Sequence, residues 1–149
     1  MAEFALAAPF GGLPVETVGI ANDLPPHVTV LFPSPGDVAA ILEVLAPFDA
    51  FDVVFARLDR FPGTLWLAPE PAEPFVALTR AMVARFPDWQ PYGGRYATTI
   101  PHLTLAQASL DETAELVEPL LPLRARADSV VLYASSDGTH WREVQTFDL

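Results

Sequence analysis

Histidine is scarce in this chain, and its placement is patterned. It occurs at 27, 102 and 140 only. The first two open the same short pattern, proline–histidine–apolar–threonine–apolar. One copy is Pro26 to Val30 within "PPHVTVLFP", the other Pro101 to Leu105 within "IPHLTLAQ". Two imidazoles and two hydroxyls suit in-line attack on a phosphodiester. A neutral imidazole takes a proton from the nucleophile, and a protonated one gives a proton to the departing oxygen. Histidine serves both roles near neutrality because its unperturbed pKa is ~6.5. Thr29 and Thr104 can donate to the non-bridging phosphate oxygens and hold the phosphorus between the rings. His102 is assigned as base and His27 as acid, roles that a symmetric site lets exchange. This chemistry needs no metal and no cofactor, and no carboxylate constellation in the sequence demands one.

A single His-x-Thr carries little information, because strands are rich in threonine. Two copies that each follow a proline and each head a similar series of elements carry far more. "HVTVLFP" alternates and is β-branched, which predicts a strand, and "IPHLTLAQ" predicts another. Successive side chains in a strand face opposite ways. His27 and Thr29 therefore share one face and Val28 and Val30 the other; His102 and Thr104 share a face opposite Leu103 and Leu105. The apolar set is expected to be buried against helices, leaving the polar set to line a site.

Around these strands, "EFALAAPF" predicts a first strand and "SPGDVAAILEVLAPF" a helix of about three turns. "AFDVVFARLDRF" and "LWLAP" predict a hairpin. "EPAEPFVALTRAMVARF" is the longest predicted helix, and "SLDETAELVEPLLP" is another, with acidic residues in its first turn, where they suit the dipole. "LRARADSVVLYAS" and "HWREVQTFDL" predict a terminal hairpin across "DGT". Each motif strand is thus followed by a helix and two strands. The order suggests an internal duplication of about 75 residues, too long for a solenoid repeat. The expected fold is α+β: one domain over 1–149, with pseudo-repeat halves at about 24–70 and 99–149. These would give two pseudo-symmetric lobes, antiparallel sheets with helices packed outside, and a central cleft.

The motifs, their spacing and their flanking prolines resemble the two-histidine (2H) phosphoesterase superfamily, in particular its bacterial 2′-5′ RNA ligase-like branch. "LWLAPEPAEPFVALTRAMVARFP" and "PYGG" extend the likeness, which covers roughly residues 24–148. The resemblance implies a bilobal duplicated fold with the two motifs facing each other in a cleft. It also implies metal-independent chemistry on 2′,3′-cyclic phosphates or 2′-5′ linkages, with His27, Thr29, His102 and Thr104 in the catalytic positions. One departure stands out. Family members hold a longer segment, with a helix, before the first motif. Here "GGLPVETVGIANDL" is short and broken by Gly and Pro, so a thinner, more open cleft wall is expected.

The loop before the second motif contains Tyr92, Gly93, Gly94, Arg95 and Tyr96. Either tyrosine could stack a base and Arg95 could meet a phosphate, so Tyr92, Arg95 and Tyr96 are candidate substrate contacts; an ordinary turn anchored by aromatics is the simpler alternative. Phe61 and Trp66 are expected in the core or the cleft wall. His140 is expected in a cross-strand or surface role, since its spacing matches no zinc motif.

Composition narrows the function classes. The chain has 149 residues, no cysteine and a formal net charge of −11, and all eight of its basic residues are arginine. Disulfides, thiolate metal sites and a cysteine nucleophile are excluded. An extended nucleic-acid surface needs clustered positive charge, which is absent. The expected partner is a small phosphoester or nucleotide, or an RNA end carrying a 2′,3′-cyclic phosphate. No apolar run reaches the ~18 residues that would span a membrane, and "MAEFALAAPF" lacks a basic n-region, so a signal peptide is not expected. The expectation is a cytoplasmic monomer. The rival functions are 2′-5′ RNA ligation and a non-catalytic module that binds a nucleotide or an RNA end in the same pocket.

Overall fold

The two motif strands lie side by side at the centre of one sheet. The computed structural model describes residues 2–96 and 98–149. In chain order the strands are β1 (Glu3–Pro9), β2 (His27–Leu31), β3 (Phe51–Phe61), β4 (Thr64–Glu70), β5 (Leu103–Ala106), β6 (Leu123–Ala127), β7 (Ser129–Ser135) and β8 (Arg142–Asp148). The helices are α1 (Val38–Leu45), α2 (Glu73–Arg85) and α3 (Leu110–Val117). All eight strands form one sheet in the order β6-β3-β4-β5-β2-β1-β7-β8, and every strand pairing in it is antiparallel.

The alternation predicted for the motifs is present. Val28, Val30, Leu103 and Leu105 are at most 1% exposed. They join two apolar clusters that also contain Phe75, Leu78 and Met82 of α2, Ile41 and Leu45 of α1, and Val117 of α3. Burying such a side chain contributes about 1.5–3 kcal/mol. A one-residue slip would put all four in water and turn both histidines into the core, so the register is strongly specified.

The helices begin and end for local reasons. The Asp37 carboxylate accepts from the Ala40 N–H at 3.1 Å and starts α1. The "SPGD" stretch stays outside, so α1 has eight residues, about two turns rather than three. Pro74 sits in the first turn of α2, where its missing N–H costs nothing, and Pro87 follows the helix end. Asp111 and Glu112 occupy the first turn of α3. Thr79 of α2 donates its hydroxyl to the Val30 carbonyl at 2.7 Å, pinning the helix to the first motif strand.

One expectation about connectivity needs correction. "LRARADSVVLYAS" is not one strand of a terminal hairpin. It breaks at Asp128: β6 pairs with β3, while β7 pairs with β1 and β8. Asp128 alone thus joins one edge of the sheet to the second strand from the other edge. One residue spans at most ~3.6 Å, so the sheet has to curl until those strands meet. The segments at 24–70 and 99–149 each contribute to both halves of the sheet. β2, β7 and β8 stand on one side of the centre, and β3, β4, β5 and β6 on the other.

No helix among the described residues is long and apolar enough to cross a membrane.

Candidate functional site

The centre of the sheet is its weakest seam. β2 and β5 share a single register pair, Val28↔Leu103. Extending that antiparallel register by one residue each way sets His27 across from Thr104, and Thr29 across from His102. In that register all four residues fall on the sheet face turned away from the helices. His27 and Thr104 line one small cavity of about 110 Å³ together.

The two rings are held in the same way. The His27 Nδ1–H donates to the Pro25 carbonyl at 2.8 Å, and the His102 Nδ1–H donates to the Ile100 carbonyl at 2.7 Å. A carbonyl only accepts, so each neutral ring carries its proton on Nδ1 and keeps a free lone pair on Nε2. In both motifs the accepting carbonyl lies two residues back, on the far side of the proline. The His27 pKa lies below its ordinary value, chiefly through burial. The Pro25 carbonyl opposes that shift, and positive charge on His102 adds to it. Burial also lowers the His102 pKa, against the Ile100 hydrogen bond. The His27 imidazole thus feels the charge of His102.

The surroundings differ. Beside His102, Phe61 and Trp66 stack at 4.7 Å between ring centroids. The His102 ring stands edge-on to both, at 5.2 Å from Phe61 and 5.9 Å from Trp66. Trp66 is also the register partner of Thr104. These two residues are cleft wall. The buried Trp66 Nε1–H has no hydrogen-bond partner among the described residues.

Beside His27 the wall is the β1–β2 connection. This segment folds back onto β5. The Val18 N–H donates to the Leu105 carbonyl at 2.8 Å, and the Gln107 N–H to the Val18 carbonyl at 2.9 Å. Gly19 makes this approach possible. It sits at φ +70°, and a Cβ there would lie 2.5 Å from the Ala108 Cβ. Leu13, Val15 and Val18 pack on the core, so this short segment needs no helix to stay in place. Thr17, Ile20, Asn22 and Leu24 then line the small cavity with His27, and Gln107 does so from the end of β5. Sequence reasoning passed over Thr17, Asn22 and Gln107. The pattern within the segment carries no signal for them, because a non-local pairing puts them there.

The loop candidates separate. The Tyr92 hydroxyl lies near the Thr29 side chain, which lowers its pKa, but burial outweighs this and raises the pKa above the ordinary tyrosine value. Tyr96 is 60% exposed and touches the edge of Tyr92, with centroids 5.8 Å apart. Arg95 does not line the histidine cavity; it borders a second one, of about 450 Å³. His140 lies in the β7–β8 turn, where its Nδ1–H donates to Asp137 at 2.8 Å. The same turn anchors the cleft wall: the Asp23 N–H donates to the Thr139 carbonyl at 3.0 Å, and Asp23 accepts from the Trp141 N–H at 2.8 Å.

With this geometry established, comparison with known proteins is decisive at the family level. The profile of the 2′-5′ RNA ligase superfamily matches residues 13–139. The chain belongs to that superfamily. Solved structures agree on the fold of this 2′-5′ RNA ligase superfamily member. E. coli LigT in complex with NADP+ is 17% identical, with a TM-score of 0.62, and the match covers 99% of this chain and 96% of that one. E. coli LigT in complex with 3′-AMP is also 17% identical, with a TM-score of 0.59 and coverage of 99% and 97%. A structure described as a phosphoesterase is 18% identical, with a TM-score of 0.58 and coverage of 99% and 97%. No curated protein sequence is similar enough to count as a match.

Proposed function

We propose that this protein is a metal-independent phosphodiesterase that hydrolyses a small 2′,3′-cyclic phosphate or a related cyclic phosphoester. The observation that carries the reading is the register at the central seam. Extended by one residue each way, the Val28–Leu103 register supports each histidine opposite the other motif's threonine, and both Nδ1–H groups donate to carbonyls.

In the reaction, a neutral Nε2 takes a proton from water as the water oxygen bonds to phosphorus. The P–O bond to one ribose oxygen breaks, and the other imidazolium gives that oxygen its proton. The product is a ribose phosphomonoester. Either ring can fill either role, since both are fixed in the same tautomer. Thr29 and Thr104 donate to the non-bridging oxygens, where negative charge builds up. Tyr92 enters the site through Thr29 and is the candidate ligand contact in its loop. Tyr96 reaches a ligand only by way of Tyr92.

The nucleotides held by E. coli LigT, 3′-AMP and NADP+, support a nucleotide-type ligand here as well. Ligation would run the chemistry backwards and must gather two RNA ends, which a chain of net charge −11 repels. The test is turnover of a 2′,3′-cyclic nucleotide by the intact protein, with and without EDTA. Turnover that the chelator leaves untouched is the expected result, and strong inhibition by EDTA would overturn the metal-independent mechanism. Tight binding without turnover in calorimetry would instead establish a binding module.

A further inference from the structure

The small cavity that His27 and Thr104 share, about 110 Å³, is lined by neither an arginine nor a carboxylate. Its other polar side chains, Thr17, Asn22 and Gln107, are neutral. A phosphate oxygen that enters this corner therefore has no guanidinium to meet. Hydroxyls, carboxamides and an imidazolium have to satisfy its charge.

Asn22 is already oriented for that task. The Leu24 N–H donates to its Oδ1 at 3.1 Å. An N–H only donates, so the carboxamide oxygen is committed to the backbone and the nitrogen is the free end. The Nδ2 donors meet no acceptor among the described residues. The backbone is held on both sides of this residue. Upstream, Val18 is bonded to Leu105 and Gln107. Downstream, Asp23 donates to the Thr139 carbonyl and accepts from the Trp141 N–H. The segment that carries Asn22 is thus tied to β5 on one side of the central seam and to the β7–β8 turn on the other. A donor fixed in this way loses little freedom when an anion arrives, which is what makes a fixed dipole effective. Thr17 and Gln107 are exposed, and their side chains have no comparable anchor.

From this arrangement we infer that Asn22 is a substrate contact whose Nδ2–H donates to a non-bridging oxygen of the bound phosphate, on the side of the cleft that His27 and Thr104 share. It adds a third neutral donor to the two threonine hydroxyls. The inference rests on the cleft reading above.

Asn22→Asp separates the donor from the shape. The introduced carboxylate is the same size and still accepts from the Leu24 N–H, but it replaces both donors with negative charge. Calorimetry with a nucleoside 3′-phosphate reads the contact without any turnover. Wild type is expected to bind, and Asn22→Asp to bind more than about 100-fold more weakly, through a lost hydrogen bond and added repulsion. Asn22→Ala, which adds no charge, is expected to weaken binding about 10- to 100-fold, the scale of one hydrogen bond to a charged group. The kcat/KM for a 2′,3′-cyclic nucleotide should fall in the same order, and the urea midpoint of Asn22→Asp should match that of wild type. Unchanged affinity in Asn22→Asp would overturn the inference even in an active phosphodiesterase. So would a lowered midpoint together with an equal loss of affinity for the unphosphorylated nucleoside, which would make Asn22 a structural residue. If no cyclic nucleotide is turned over but phosphate binding still depends on Asn22, the catalytic reading fails and the contact stands. A wild type that neither binds nor turns over these ligands would overturn both.

Discussion

The two motifs present nearly the same atoms to the cleft and sit in quite different settings. His27 and His102 share a preceding proline, a carbonyl clamp on Nδ1 and a threonine two residues on. Yet His27 looks into a closed corner formed by the β1–β2 connection, while His102 lies against the stacked rings of Phe61 and Trp66. The lesson is a division of labour. Equivalent strands supply equivalent chemistry, and the unmatched segments around them decide what is admitted. Burial lowers both imidazole pKa values.

The largest expected effect tests the equivalence directly. His27→Ala and His102→Ala should each lower kcat by ~10²–10⁴, the usual contribution of a positioned acid or base. If one variant loses more than ten times as much as the other, the roles are not equivalent. Next come the threonines. Thr29→Val and Thr104→Val should each lower kcat/KM by about 10- to 100-fold, the worth of one hydrogen bond to a charged group. Thr29→Val should be the worse, because Thr29 also meets Tyr92. A Tyr92→Phe background should narrow the gap, and an unchanged gap would separate Tyr92 from the site.

Gly19→Ala probes the closed corner. The left-handed backbone at that position costs an ordinary residue about 1–3 kcal/mol, and the added methyl would also collide with Ala108. Urea denaturation should show a loss at least that large. A neutral result would mean the β1–β2 connection does not hold its place against β5.

The smallest expected effect is on pH dependence. In the proposed reaction the singly protonated pair is the active form, and both pKa values lie below 6.5, so kcat/KM should peak on the acid side of 6.5. Stability depends on the same shifts. The unfolded chain binds these protons at a higher pH than the folded one, so stability rises with pH up to about 6.5 and falls as the pH drops below it. Replacing either histidine with Gln should flatten that slope. An optimum above 7 would contradict the burial of the rings.

Much of this architecture could be read from residue patterns. Period-two alternation at Val28–Leu31 and Leu103–Ala106 gives both motif strands and the face each side chain takes. Asp37, Pro74 and the acidic start at Asp111 announce the helices. What could not be read depends on pairings between distant segments. Asp128 looks like one more residue of an alternating strand, because nothing local distinguishes a single-residue break from a continuation. The wall around Val18 is tied down by only two backbone hydrogen bonds to β5, which leave no periodicity in its own sequence. Arg95 was grouped with Tyr92 by proximity in the chain. Both line the larger cavity, and neither lines the small one at His27.

The junction at Asp128 has a mechanical consequence. It is a clasp without slack: β6, at one margin of the sheet, passes into β7, near the other, through one residue. The central seam has only one rung, Val28↔Leu103, and so gives the two imidazoles little means of keeping their spacing unaided. The clasp opposes any drift of the halves from the far side of the molecule. Threading a few glycines into it would turn the clasp into a tether, and the gap across which a proton has to be passed would no longer have a fixed width.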